Sequence, residues 1–311
     1  MKTLRLYRAG RGTGGGSGSA PGTIWTLRTS QVNNLDLYGV TYGNELFVAV
    51  GKDGTILTSP DGVNWTVQTS PTSNTLYGVT YGDGLFVAVG GYYNSQHPLT
   101  RCTILTSPDG VNWTERTSPT SDTLSSVTYG NGIFMAVGKD GTILTSPDGV
   151  NWTVQNPLMS DDLYDVTYGN GLFVVVGEHY NLQHPLARGT ILTSPDGEHW
   201  AQRTSGTGNA LHGMTYGNGL FMAVGEDGAI LTSPDGVHWT ERTLESNSLH
   251  SVTYGNGLFV VVGEDGTILT SPDGVHWTKR ASGTNNWLSG VAYGNNLFVA
   301  VGQYGTIITS P

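Results

Sequence analysis

Short segments of alternating apolar and polar residues recur along the whole chain, and no apolar pattern keeps helical spacing over two turns. The run Leu-Phe-Val-Ala-Val-Gly at 46–51 is apolar on both faces, which is typical of a strand buried on both sides. Near-identical copies follow at 85–90, 133–138, 172–177, 220–225, 258–263 and 297–302. Seven copies of one buried strand predict an all-β repeat architecture with seven units.

Each repeat is predicted to contain four short strands, which we name a to d in chain order. In the first repeat they cover 37–42, 46–50, 55–58 and 63–69. Asn-Gly pairs such as 131–132 join strand a to strand b, and Asp-Gly pairs such as 53–54 join strand b to strand c. Both pairs favour positive φ angles, which suit two-residue type I′ hairpins. Each repeat is therefore expected to form a four-stranded antiparallel sheet.

The two ends of the chain complement each other. The last repeat stops at Pro311, after its strand c, and has no strand d. Residues 19–26, Ser-Ala-Pro-Gly-Thr-Ile-Trp-Thr, align with the Ser-Pro-Asp-Gly-Val-Asn-Trp-Thr that leads into strand d elsewhere. A ring in which the N-terminal strand completes the last blade leaves no sheet edge unpaired at the seam. We therefore predict a seven-bladed β-propeller with 3+1 closure, in which 22–311 form a single domain.

The segment between strands c and d carries a recurring motif, Ser-Pro-Asp-Gly with a Trp three residues after the Gly. It resembles the Asp-box, the Ser-x-Asp-x-Gly-x-x-Trp turn of sialidases and many bacterial propellers, but is one residue shorter between Asp and Trp. The resemblance covers 22–311 and is nearest to bacterial BNR-repeat propellers of the sialidase-like or photosystem II assembly-factor-like kind. It implies that Asp and Ser hold the turn while Trp packs between blades. The residues concerned are Asp61, Asp109, Asp148, Asp196, Asp235 and Asp273, with Trp25, Trp65, Trp113, Trp152, Trp200, Trp239 and Trp277.

Charge and composition narrow the classes of partner. The formal net charge is −10, and an acidic body disfavours nucleic acid and anionic membrane surfaces, which attract clustered Lys and Arg. The exception is 1–21, where four basic residues stand among Gly and Ser without an acid, and we predict a disordered tail. The single cysteine, Cys102, fits a reducing compartment, and no apolar stretch is long enough to span a membrane. A cytoplasmic monomer is expected.

The sialidase resemblance raises the question of catalysis, because such enzymes clamp the substrate carboxylate with three arginines. Five arginines of the ring occupy one repeat position, three residues after the blade Trp on the outermost strand, and are expected at the rim: Arg28, Arg116, Arg203, Arg242 and Arg280. Arg101 and Arg188 remain, again at equivalent positions, so no convergent triad can be assembled. The turn acids are explained by turn geometry, and no spacing indicates a metal or cofactor site. The sequence therefore predicts no enzyme, with a sialidase-like glycoside hydrolase as the alternative.

Two blades depart from the repeat between strands b and c. The segments 92–101 and 179–188 are nearly identical in sequence and replace a short turn. Their aromatic, amide and imidazole groups suit a polar ligand, and the candidate residues are Tyr93, His97, Arg101, Tyr180, His184 and Arg188. The alternative is that one blade pair was duplicated with its loop and that the loops have no role.

A second departure lies near the start of strand a, the innermost strand. The residue after its first Leu varies around the ring among Tyr38, Tyr77, Ser125, Tyr164, His212, His250 and Ser289, and Trp287 stands beside this position in the last blade. We expect these side chains to line the mouth of the central channel, on the same side as the long loops. Packing drift between blades is the alternative. The leading hypothesis is a non-catalytic, lectin-like binding or scaffolding propeller that holds a glycan, peptide or small polar molecule there; a purely structural repeat protein is the rival.

Overall fold

The computed structural model describes residues 20–92, 101–155, 159–181, 184–242, 244 and 246–311. These residues form seven four-stranded antiparallel sheets, which are the blades of a ring. Within each sheet, strands a, b, c and d are neighbours in that order, with strand a innermost. The predicted all-β, seven-bladed propeller is confirmed. The predicted tail at 1–21 lies outside the described residues, except for its last two positions.

The strands recur at the same repeat positions. Strand a covers Leu37–Gly43, Thr75–Gly82, Leu124–Gly130, Asp162–Gly169, Leu211–Gly217, Leu249–Gly255 and Leu288–Gly294. Strand b covers Leu46–Gly51, Leu85–Tyr92, Ile133–Gly138, Leu172–Asn181, Leu220–Gly225, Leu258–Gly263 and Leu297–Gly302. Strand c covers Ile56–Ser59, Arg101–Ser107, Ile143–Ser146, His184–Ser194, Ile230–Ser233, Ile268–Ser271 and Ile307–Ser310. Strand d covers Thr66–Val67, Thr114–Arg116, Thr153–Gln155, Ala201–Arg203, Thr240–Glu241, Thr278–Arg280 and, in the seventh blade, Thr26–Arg28.

The core lies between adjacent blades. Strand b is buried on both faces, as its apolar run predicts. Between the first two blades, Val48 and Val50 pack in one cluster with Phe86, Ala88 and Leu105 of the next sheet. Each blade thus buries one face against each neighbour, which is why a single sheet of this kind cannot stand alone.

The turns agree with the prediction between strands a and b and differ between strands b and c. Asn131 and Gly132 both have positive φ, 50° and 79°, as a type I′ turn requires. Between strands b and c, Asp53 and Gly54 also have positive φ, but the Gly51 N–H donates to the Thr55 carbonyl, so three residues separate the bonded ends instead of two. These connections are short 3₁₀ turns at Lys52–Gly54, Lys139–Gly141, Glu226–Gly228, Glu264–Gly266 and Gln303–Gly305.

The Ser-Pro-Asp-Gly segment is a turn held by its carboxylate. Asp61 accepts hydrogen bonds from the backbone N–H groups of Val63 and Asn64, both at 2.8 Å, and from the Ser59 hydroxyl at 3.0 Å. The Trp65 indole donates to the Gly62 carbonyl, and its ring packs among residues of two blades. Strand d therefore begins later than predicted, at Thr66, because the carboxylate takes N–H groups that a longer strand would use in the ladder; it also ends earlier, at Val67.

The N-terminal strand closes the ring. Thr26, Leu27 and Arg28 pair antiparallel with Thr309, Ile308 and Ile307. The order of that sheet is therefore the N-terminal strand followed by strands c, b and a of the last repeat. Trp25 lies in the cluster between the sixth and seventh blades. Each of the other blade tryptophans lies in the equivalent cluster between two neighbouring blades. The predicted 3+1 closure is confirmed.

The insertion in the fourth blade is a longer hairpin and not an irregular loop. Its ladder continues past the usual turn, with Glu178 opposite Gly189, His179 opposite Arg188, and Asn181 opposite His184. In the second blade the ladder extends to the pair of Tyr92 and Arg101, and 93–100 lie outside the described residues.

Candidate functional site

A cavity of about 230 Å³ lies on the axis of the ring, where strand a begins in each blade. In the first blade it is lined by Tyr38, Gly39 and Val40, and equivalent residues line it in the other blades. A β-bulge occurs here in every blade; in the first, Leu37 pairs with Gly51, whereas Gly39 pairs with Val50. A bulge re-aims the side chains beside it. We call this end of the channel the mouth.

The aromatic residues predicted for the mouth lie together there, in two groups. Tyr38 and Tyr77 form one pair, with ring centroids 5.3 Å apart. The second group, the aromatic arc, has neighbouring centroids 5.5, 5.9 and 5.7 Å apart and consists of Tyr164, His212, His250 and Trp287. Trp287 is 41% exposed at the end of the arc. Ser125 and Ser289 lie between the two groups, so the rings do not close over the cavity.

The aromatic arc is uncharged at neutral pH. Burial, reinforced by the neighbouring His212, lowers the pKa of His250 to about 4. Burial also lowers the pKa of His212, against the opposing effect of nearby carboxylates. Burial and a hydrogen bond to the Glu178 carboxylate raise the pKa of Tyr164, so its phenol stays a donor. Flat, uncharged rings with polar edges are suited to stack on peptide planes or on sugars.

Charged residues that the sequence analysis did not select surround the mouth. They occupy the position directly after the Gly that closes the apolar run of strand b. Around the ring this position reads Lys52, Gly91, Lys139, Glu178, Glu226, Glu264 and Gln303. Glu178 accepts the hydrogen bond from Tyr164, and the charges of all three glutamates oppose the lowering of the His212 pKa by burial. The fourth to sixth blades therefore carry acidic residues at this repeat position and the first and third carry lysine, while Asp36 and Asp53 add carboxylates beside Tyr38 in the first blade. The change of charge at one repeat position was the signal that could have found them.

One carboxylate lies deeper, in the wall of the channel. Asp165 accepts hydrogen bonds from the Ser126 hydroxyl at 2.6 Å, its neighbour Val166 N–H at 2.8 Å and the Met214 N–H at 2.7 Å. It therefore links the third, fourth and fifth blades. Protein surrounds this side chain although part of it faces the channel, and this burial raises its pKa to about 6 against the opposing hydrogen bonds.

The long-hairpin candidates are not brought to the mouth by any described contact. Tyr93 and His97 lie outside the described residues, as do the side chains of Arg101, Tyr180, His184 and Arg188. At the base of the hairpin in the fourth blade, His179 Nδ1 lies 2.6 Å from the Asp161 carboxylate. Asp161 also accepts from the Thr190 hydroxyl, so this contact braces the hairpin against the loop that enters strand a. The role of the hairpins at the mouth stays a prediction.

Four of the five rim arginines lie on strand d as the repeat position predicts, and Arg242 directly follows its strand d. Arg116, Arg203 and Arg280 each lie on strand d and donate from Nε to a strand c threonine. Among the described residues, no three or more His, Cys, Asp or Glu side chains are grouped to hold a metal ion. In the same part of the chain, no helix has the length and apolarity of a membrane span.

The fold and the lined channel define a seven-bladed β-propeller with a pocket at one end of its axis. No family model matches the chain, and no curated protein matches it. Among solved structures, it is similar to YCF48 bound to D1 peptide, with 17% identity, a TM-score of 0.71 and coverage of 92% of this chain and 94% of that one. It is also similar to a catalytically inactive virginiamycin B lyase from Staphylococcus aureus with quinupristin, with 14% identity, a TM-score of 0.77 and coverage of 92% and 98%. At such identities the likeness shows the fold alone.

Proposed function

We propose that this protein is a non-catalytic binding propeller that holds an extended peptide segment of a partner at the channel mouth. The observation that carries the proposal is the aromatic arc, four uncharged rings in contact beside a cavity of about 230 Å³. Such an arc offers apolar faces with hydrogen-bonding edges, and exposed aromatic residues are typical anchors of binding surfaces.

A peptide is favoured over a glycan by the charges around the arc. Glu178, Glu226 and Glu264 lie on one side of the mouth, where they suit backbone N–H groups and basic side chains. The complex of YCF48 with D1 peptide supports the same choice, because a propeller of similar fold binds a peptide. A glycan stays the second candidate, because aromatic rings with carboxylate partners also suit sugar hydroxyls.

A peptide array and a glycan array, probed with the same labelled protein, test the proposal. The substitutions Trp287→Ala and Tyr77→Ala remove one exposed ring from each group, and we expect each to weaken binding roughly tenfold or more. Trp113→Phe, at a blade tryptophan outside the mouth, is the control for general effects on the fold. Peptide binding that both alanine variants retain in full would place the site elsewhere, and glycan binding lost in both variants would change the ligand class. Turnover of a fluorogenic sialoside by the unaltered protein would instead favour the hydrolase alternative.

A further inference from the structure

Backbone N–H groups of all seven inner strands point into the channel directly below the mouth. Those of Val166 and Met214 donate to the Asp165 carboxylate, and that of Val291 donates to the Ser251 hydroxyl at 3.3 Å. These residues share one register with strand b, and so do their equivalents in the other blades. In an antiparallel ladder a residue's register decides to which side its N–H points. The seven groups belong to Val40, Val79, Val127, Val166, Met214, Val252 and Val291.

Some of these N–H groups are capped by a side chain from the repeat position directly before the seven residues just named. Asp165 in the fourth blade reaches the N–H of Met214 in the fifth, and Ser251 in the sixth reaches that of Val291 in the seventh. These two caps come from the blade before, whereas Asp165 also accepts from the N–H of Val166 in its own blade. Where that blade carries glycine, no side chain is present to cap. Gly290, Gly39 and Gly78 precede the first, second and third blades, so three adjacent N–H groups lack this cap, those of Val40, Val79 and Val127. Gly213 of the fifth blade likewise leaves the N–H group of Val252 without it, but that group stands alone between two capped neighbours.

Adjacent backbone N–H groups on one wall of the channel can bind an anion together, beside the carbonyl groups of the same residues, which point to the same side. Asp165 shows which anion the channel accommodates, because its carboxylate occupies the equivalent groups of the fourth and fifth blades. The charges at the mouth are mixed on this side. Lys52 and Lys139 belong to the first and third blades and the glutamates to the fourth to sixth, but Asp36 and Asp53 also act on Tyr38, where they raise the pKa of its phenol.

We propose that the N–H groups of Val40, Val79 and Val127 bind a carboxylate of the ligand, in the cavity beneath Tyr38 and Tyr77. The proposal rests on the proposed function and adds a polarity to it: the carboxylate enters the channel on the side of the first three blades, and the rest of the ligand follows the aromatic arc. The cavity has room for one terminal residue or one small carboxylic acid. The free C-terminus of a peptide and a small acid share this chemistry.

Acetate is the probe for the proposed carboxylate receptor, which is the set of three N–H groups of Val40, Val79 and Val127. We expect acetate, titrated at pH 7.5 and constant ionic strength, to shift the amide NMR signals of these three valines saturably. Methylammonium at equal concentration is the control and should not shift them. Acetate shifts that do not saturate, or that appear only at exposed loops, would overturn the proposal.

Variants taken from the chain's own repeat sharpen the test. Gly78→Ser introduces the serine that caps Val291 in another blade and should cap Val127, so we expect acetate affinity to fall roughly tenfold. Gly78→Ala is the matched control, with the same Cβ and no hydroxyl; that Cβ would lie 2.9 Å from Ser126 Cα, so thermal stability is measured for both. Asp165→Ser removes the negative charge across the channel and should strengthen acetate binding by about threefold or more. Unchanged affinity in Asp165→Ser overturns the proposal even if neither Gly78 variant folds.

Peptides found on the array separate the two sources of carboxylate. Each is measured as a free acid and as a C-terminal amide. Loss of binding in the amide identifies the peptide terminus as the source. If acetate saturates the three amides while the amidated peptides bind as tightly as the acids, a small acid is the source. If the amidated peptides bind equally and acetate does not bind, the carboxylate receptor is wrong and the peptide-binding mouth stands. If acetate binds and no peptide does, the receptor stands and the peptide proposal fails.

Discussion

Arg28 donates a hydrogen bond from Nε to the hydroxyl of Thr309 over 2.8 Å, although 281 residues separate the two in the chain. The same bond joins Arg116 to Thr106 inside the second blade, over a separation of 10 residues. The seam therefore repeats the local chemistry of an ordinary blade. What differs is the length of chain that must be ordered before the contact can form, and this makes the first and last strands dependent on each other.

Removing the N-terminal strand should open the ring. Deleting 1–29 removes the partner of Ile307–Ser310 and the Trp25 ring, which leaves an unpaired edge and an exposed core face. We expect a broader thermal transition at lower temperature and association of the protein, measured by calorimetry and size-exclusion chromatography. Deleting 1–19 is the control and should leave both unchanged. Equal transitions in the two truncated proteins would show that closure does not stabilise the ring.

Two glycines with nearly the same positive φ should respond differently to alanine. Gly54 has φ +71° and a Cβ there would lie 2.0 Å from the Thr72 carbonyl oxygen, whereas Gly84 has φ +74° and nothing within 4 Å. Gly84→Ala is expected to lower the free energy of unfolding by about 1 kcal/mol, from backbone strain alone. Gly54→Ala adds a backbone clash and should cost more than about 3 kcal/mol. Urea denaturation of both variants checks this, and similar losses would contradict the b–c turn geometry.

His250 should make stability depend on pH. Above pH about 6.5 it is neutral in both states; between that value and about 4 the unfolded chain binds a proton that the folded protein does not. The free energy of unfolding should therefore fall as the pH is lowered through this window, by up to about 3 kcal/mol from this residue.

Comparison with His250→Phe, by urea denaturation from pH 7.5 to 4.5, isolates this contribution. The variant should lose less stability over the range. Asp165 acts in the opposite sense, because its raised pKa makes the folded protein bind a proton first as the pH falls to about 6. Both proteins contain Asp165, so its contribution is the same in both curves. Parallel curves would show that the imidazole is protonated as readily in the ring as in the unfolded chain.

The carboxylate of a blade turn should matter more at neutral pH than in acid. Asp148 accepts from the N–H groups of Val150 and Asn151, and these hydrogen bonds hold its pKa well below the usual range. Asp148→Ala should cost about 1–2 kcal/mol at pH 7, as loss of a helix cap does. A folded-state pKa below the unfolded value gives stability that is present above pH about 4 and lost below it. The difference between the two proteins should shrink below pH 4; Asp148→Asn, which keeps one acceptor oxygen, should lose less at pH 7.

Much of the fold could be predicted because its signals are local and repeated. A buried strand of six residues, a turn pair with positive φ and a motif ending in Trp each recur in register, so agreement among the copies corrects any single ambiguity. The closure followed from the same repetition. The last repeat lacks strand d and the N-terminal segment has the sequence of a strand d, so the two can pair in one sheet. The aromatic residues of the mouth were found as positions at which the repeat varies, whereas the charged residues around them were not selected.

Contacts between blades could not be derived this way. Asp165 bonds Ser126 and Met214, which lie 39 and 49 residues away, and only the radius and twist of the closed ring bring them within reach. The direction of the inner N–H groups likewise depends on a bulge that no residue type announces. The sequence by itself determined the strands, their number and the ring, because local propensity and repetition suffice for these. The tertiary structure decided which polar groups meet on the axis, because those distances arise only when all seven blades are assembled.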